Sequence, residues 1–197
     1  MLIDKKHPFL IILTISFLNF FCLIAVTPTP PCTPVNVGSA STLLSITTVS
    51  ATGYMCYCYK WTAPTTGTVT LGIQIRNDPW YSYLDDVSVY DGATQVIVNG
   101  GFNTGSLSPW VKSFPNGACG SGSSLGQVCN SYPRTGGYSY CDGCNTVADQ
   151  ISQSFMATAG HEYIVSFWYA STGTGSVIQA LVTLHWPYKN NICWQNQ

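Results

Sequence analysis

The chain carries little charge. Of its 197 residues 8% are Asp, Glu, Lys or Arg, seven basic against eight acidic, for a formal net charge of -1. Beyond residue 26 the bases are Lys60, Arg76, Lys112, Arg134 and Lys189, scattered singly along the sequence. A phosphate backbone is bound by clustered basic side chains, so nucleic acid is not an expected partner. Histidine is equally scarce, with His161 and His185 the two that remain past the amino-terminal segment. The acids offer no evident acid–base pair, since adjacent residues such as Asp85 and Asp86 point apart on a strand. The chain is therefore not expected to be an enzyme. No Asn-x-Ser/Thr sequon occurs, which excludes standard N-glycosylation. Helical periodicity is missing throughout.

What remains is rich in Thr, Ser, Gly, Tyr and β-branched residues, a composition that points to an all-β fold. Lys5 and Lys6 precede an apolar run from Phe9 to Val26, broken by Thr14, Ser16 and Asn19. Residues 1–26 read as a secretory signal peptide, with a retained signal anchor as the alternative. A membrane is a partner only if that helix is kept, and the upstream lysines would then leave the bulk of the chain outside. Residues 27–37 open with the Pro/Thr run TPTPPCTP and read as an extended linker outside the fold. The span 38–197 suits a single β-sandwich domain. Strands are expected at Tyr54 to Trp61, Thr68 to Ile75, Trp80 to Tyr90, Ala148 to Phe155, Tyr163 to Tyr169 and Val177 to Trp186. The stretch from Asn116 to Gly126 reads as a long polar loop.

Beyond Cys22 of the signal, eight cysteines remain: Cys32, Cys56, Cys58, Cys119, Cys129, Cys141, Cys144 and Cys193. An even set in an exported chain reads as disulfides, whose pairing the sequence leaves open. Cys119 with Cys129 would close a Gly/Ser-rich loop and Cys141 with Cys144 a tight one. Cys56 and Cys58 share a strand face and need separate partners. Zinc at Cys141-x-x-Cys144 is disfavoured, because no second such pair stands at finger-like spacing.

Two motifs carry a family resemblance. Asn99-Gly100-Gly101-Phe102-Asn103 followed by Trp110 resembles the opening of carbohydrate-binding modules of families four and nine. The later Ala148 to Phe155 and Tyr163 to Trp168 resemble segments that follow it there, and Tyr83-Leu84-Asp85-Asp86-Val87 resembles the strand that closes the module. The resemblance implies a galactose-binding-like jelly roll, stapled here by disulfides. In this chain, however, the closing motif precedes the opening one. Either the domain is circularly permuted or the chain is a fragment of a tandem array. Permutation is the expectation, because a fragment would leave sheet edges and core uncovered.

The resemblance further implies a structural calcium between opening loop and closing strand, with Asp85, Asp86 and Asn103 as candidate ligands. Strict alternation along the closing strand would put Tyr83, Asp85, Val87 and Val89 on one face. If the valines face the core, Asp85 points inward and needs a partner. Calcium is one such partner, and backbone amides of the opening loop are the other. Asn103 stands where the family has glutamate, which removes one anionic ligand. Glycan binding rests on aromatic faces with amides and carboxylates beside them. Candidates are Asn77, Asp78, Trp80, Tyr81 and Tyr83, with Trp168, Tyr169 and Gln179 as a second group, while Trp110 is assigned to the core. The expected function is a secreted, non-catalytic module that binds extracellular or cell-surface glycans. An extracellular adhesion protein of the same fold, or a membrane-tethered display of it, is the alternative.

Overall fold

The computed structural model describes residues 26–47, 51–119, 124–173 and 177–186. Within them all regular structure is strand. In chain order these are β1 (Val35–Gly38), β2 (Thr42–Ile46), β3 (Thr52–Thr62), β4 (Gly67–Asp78), β5 (Ser82–Asp91) and β6 (Thr94–Gln95). After Asn99 follow β7 (Val111–Ser113), β8 (Ser124–Cys129), β9 (Ser139–Gly143), β10 (Asp149–Ala157), β11 (Glu162–Ser171) and β12 (Val177–His185). They form two sheets. The first runs β1-β3-β11-β5-β9-β8 with β6 beside β5, and the second runs β2-β12-β4-β10-β7.

Each sheet draws on both sides of Asn99. Strand β5 lies between β11 and β9, pairing antiparallel with both. Strand β4 lies between β12 and β10 in the same manner. The closing motif thus completes a sheet that the later strands begin, and one interleaved sandwich results. The six main strands expected from alternation are all present as β3, β4, β5, β10, β11 and β12.

Alternation also builds the core. Val69, Leu71, Ile73 and Ile75 of β4 project from every second position and are almost fully buried. They meet Tyr163, Val165, Phe167 and Tyr169 of β11 and Trp61 of β3 across the interface. Burying aliphatic and aromatic side chains of this size contributes about 1.5–3 kcal/mol each before chain entropy is counted. Trp110 lies in this core as expected, against Phe102 at 6.1 Å between ring centroids.

Three expectations need correction. Val35 to Val37 belong to β1, which pairs parallel with β3, so the expected linker does not extend to residue 37. The Pro/Thr run is also part of the fold. A disulfide between Cys32 and Cys56 ties it to β3, and residues 27–31 roof a cavity of about 260 Å³ over Ser88, Tyr90, Ile164 and Ser166. Second, the disulfides pair Cys119 with Cys144 and Cys129 with Cys141, not the sequence-adjacent partners. Neighbouring strands β8 and β9 bring Cys129 and Cys141 together, a proximity that sequence spacing does not reveal. Third, the expected polar loop ends at β8, whose register with β9 includes Gln127 opposite Cys141. Cys58 is buried and unbonded among the described residues, and burial raises its thiol pKa. Cys193, Cys22 and nearly all of the expected signal lie outside the described residues. Three disulfides place the folded chain in an oxidising compartment.

Candidate functional site

The two motifs meet in space. Val87 donates its amide to the Gly100 carbonyl at 2.9 Å. Gly100 lies so close that a Cβ there would sit 1.8 Å from the Val87 oxygen. At Gly101 an added Cβ would stand 3.1 Å from Asn103 Nδ2, 3.4 Å from Asp86 Oδ1 and 3.9 Å from Asp85 Oδ1. The three candidate calcium ligands therefore converge around one glycine.

Asp85 does not point into the core. Asp85 stands opposite Trp168 and Ser88 opposite Ser166, so Asp86 and Val87 together face the single residue Phe167. This is a β-bulge, and Asp86 takes the left-handed conformation (φ 49°) that Asp tolerates better than most residues. The extra residue resets the alternation. Leu84, Val87 and Val89 face the core, while Tyr83 joins a separate cluster with Cys141 and Ala170. Asp85 lies on the outer face with Tyr83, yet it is fully buried, covered by the loop between β8 and β9.

Every candidate ligand oxygen there already has a protein donor. Asp85 Oδ1 accepts the Asp86 amide at 2.7 Å, and Oδ2 accepts the amides of Arg134 and Thr135 at 2.8 and 3.2 Å. Asp86 accepts the Thr135 hydroxyl at 2.6 Å and pairs with the Arg134 guanidinium. Asn103 Oδ1 accepts the Gly137 amide at 3.0 Å. A hard divalent cation needs six or more free oxygens, and here a guanidinium already supplies the positive charge. This donor set as arranged does not fit calcium. Burial raises the Asp85 pKa, and the three amide hydrogen bonds oppose it without cancelling it.

Arg134 extends the cluster. Its guanidinium lies over the Trp168 ring at 3.6 Å from the centroid while it pairs with Asp86. Trp168 is half-buried on the outer face, opposite in parity to the core residues Val165 and Phe167. Beyond it runs a tyrosine ladder. Tyr81 and Tyr83 are 6.2 Å apart, Tyr83 and Tyr132 5.0 Å, and Tyr132 and Tyr54 5.5 Å with nearly parallel planes. The Tyr54 hydroxyl donates to the Tyr132 carbonyl at 2.7 Å, and burial raises its pKa. Tyr132 is 41% exposed, Tyr81 36% and Trp80 48%.

The exposed rings are seated rather than loose. A Cβ on Gly173 would meet the Trp80 indole at 2.4 Å, and one on Gly143 would meet the Tyr81 ring at 2.6 Å. Glycine at both positions lets each ring lie directly on backbone. Asn77 holds the same turn from beneath, donating its Nδ2 to the carbonyls of Tyr81 and Thr172 at 2.9 and 2.8 Å. Asp78 receives Arg76 Nε at 3.0 Å and the Thr146 amide at 3.1 Å. Burial alone would raise its pKa, but these partners hold its carboxyl below the usual range.

The candidate glycan residues thus divide. Trp80, Tyr81 and Tyr132 are partly exposed, and Tyr83 lies buried as the rung between Tyr81 and Tyr132. Asn77 is fully buried and acts as a brace, contrary to the expectation of a ligand contact. Tyr169 faces the core, its hydroxyl 2.9 Å from Ser82 Oγ, and so does not belong to the site. Gln179 pairs in register with Arg76 in the second sheet, away from Trp168 in the first. Tyr132, Arg134 and Thr135 escaped the sequence reading because they sit in a polar loop. The one available signal was their place between Cys129 and Cys141, now joined by a disulfide.

Gly122 to Gly126 reads Gly-Ser-Ser-Leu-Gly, a match to the Gly-x-Ser-x-Gly pattern. In hydrolases that spacing forms a strand-to-helix elbow, whereas Ser124 here begins strand β8, with no helix among the described residues.

No family model, curated protein or solved structure matches this chain.

Proposed function

We propose that the protein is an exported, non-catalytic glycan-binding module of galactose-binding-like jelly-roll type, circularly permuted relative to the modules it resembles. The observation that carries this reading is the set of partly exposed rings, Tyr81 and Tyr132 on the tyrosine ladder and Trp80 seated on Gly173. A pyranose presents axial C–H groups to an aromatic face, and a ring fixed before binding loses little entropy when a sugar stacks on it. The basic and apolar amino-terminal run and the disulfides both favour export. In this reading Arg134 takes the place of a calcium ion as the cation between closing strand and covering loop.

The Arg134 guanidinium covers Trp168, and this favours a second reading for that part of the face: a structural or adhesive surface rather than a sugar platform. A glycan array probed with the folded, exported chain separates the two. Binding to one or more glycans supports the module. Folded protein that binds none overturns it and leaves the adhesive reading.

A further inference from the structure

At the far end of β9 from the Asp85 cluster, a second pair of carboxyl groups is buried between the sheets. Asp142 of β9 and Asp149 of β10 are both fully buried and lie within hydrogen-bonding reach of one another. Each spends one oxygen on a backbone amide. Asp142 Oδ1 accepts from Cys144 at 3.1 Å, and Asp149 Oδ2 accepts from Gly126 at 2.5 Å. The oxygens left over, Asp142 Oδ2 and Asp149 Oδ1, have no donor. Two charged carboxylates side by side without donors are costly to bury, far beyond a missing neutral hydrogen bond.

The surroundings say what completes the pair. From β7, Lys112 donates its ammonium to the Gly126 carbonyl at 2.8 Å and acts on Asp142 through space. From β9, Tyr140 presents a buried hydroxyl that meets neither carboxyl in a hydrogen bond. From β11 and β5, the Tyr169 hydroxyl is held by Ser82. Burial raises its pKa to about 12, so it stays neutral. From β4, Arg76 and Asp78 neutralise each other. Two carboxylates against one ammonium leave one excess negative charge. A single proton balances it, whereas a divalent cation would overshoot.

We propose that Asp142 and Asp149 share one proton and form a pH-sensitive latch between the two sheets. Asp142 carries the proton and donates it to an oxygen of Asp149, so that strand β9 of one sheet is bonded to strand β10 of the other. Removing the proton puts two like charges in contact and parts the strands. Burial first, then the Asp149 charge, raises the Asp142 pKa to about 8. The folded state therefore holds a proton that the unfolded chain releases near pH 4, and stability from this pair falls as pH rises between those values.

Thermal melting of the full chain from pH 5 to pH 9, with calcium and with EDTA, tests the latch. The melting temperature is expected to fall by roughly 5 °C or more across that range, in calcium and EDTA alike. Asp142→Asn keeps a permanent donor toward Asp149 and should flatten the fall. A wild-type melting temperature that ignores pH overturns the latch. So does stabilisation by calcium at neutral pH, which would make the pair a cation site. Should Asp142→Asn fail to fold, the infrared carboxylic-acid C=O band of the wild type decides. Its persistence at pH 7 supports the shared proton, and its absence overturns it.

Discussion

Asp85 shows how much one side chain organises. Both of its oxygens are taken by amides, one from its own strand and two from a loop some fifty residues away. An Asn at this position keeps an acceptor on one side but turns an N–H toward backbone N–H groups on the other. Asp85→Asn is therefore expected to cost about 2 kcal/mol, the penalty for leaving buried donors unmatched. Urea unfolding at pH 7 measures it. Because Arg134 supplies the local positive charge, EDTA should leave the melting temperature of the wild type unchanged. The sequence singles out Asp85 and Asp86 as candidate calcium ligands. It could not supply Arg134, because an arginine in a polar loop has no periodicity to mark its partner.

Among the elements, β5 is the one whose reading mattered most. Its alternation predicts a strand, and a strand is present. The facing of its residues was misjudged because strict period-two counting assumes no bulge, and the shift at Asp86 sends Asp85 outward while Val87 and Val89 stay inward. No pattern in YLDDVSVY marks that extra residue beyond an Asp able to adopt positive φ. Short edge strands were equally hidden. Strand β7 is three residues long and β1 four, too short for alternation to register, and they form because longer neighbours offer them a partner. The bulge is fixed by the opening loop, whose Gly100 lies against the Val87 carbonyl. Gly100→Ala must push loop and strand apart and is expected to destabilise by about 1–3 kcal/mol. Thermal unfolding of the variant checks this, and an unchanged melting temperature would mean that the two motifs do not pack as described.

For the molecule as a whole, the order of the two motifs turns from a puzzle into a folding requirement. The long central strands β3, β11 and β5 of one sheet and β12, β4 and β10 of the other alternate between the two sides of Asn99, so each half alone keeps only the pairs β1–β3 and β5–β6 or β8–β9 and β7–β10. Residues 27–98 and residues 99–197 expressed separately should each lack cooperative unfolding, and mixing them should restore the β-sheet circular dichroism of the intact chain. The fold class and the main strands were readable because the hydrophobic alternation of long central strands is a local property. The aromatic platform was only half readable. Trp80 and Tyr81 announced themselves beside a polar turn, whereas Tyr132 reaches the ladder through a loop closed by a disulfide that spacing alone does not reveal.

The platform is where the account is most exposed to contradiction. Isothermal titration of the best array glycan into wild type, Trp80→Ala and Tyr132→Ala tests it directly. Both rings are half-exposed, so variants lacking either should lose their packing contacts yet stay folded. Loss of either stacking face is expected to weaken binding about tenfold, or 1.4 kcal/mol. Folded variants that bind as tightly as the wild type would place the sugar elsewhere on the molecule and contradict the account.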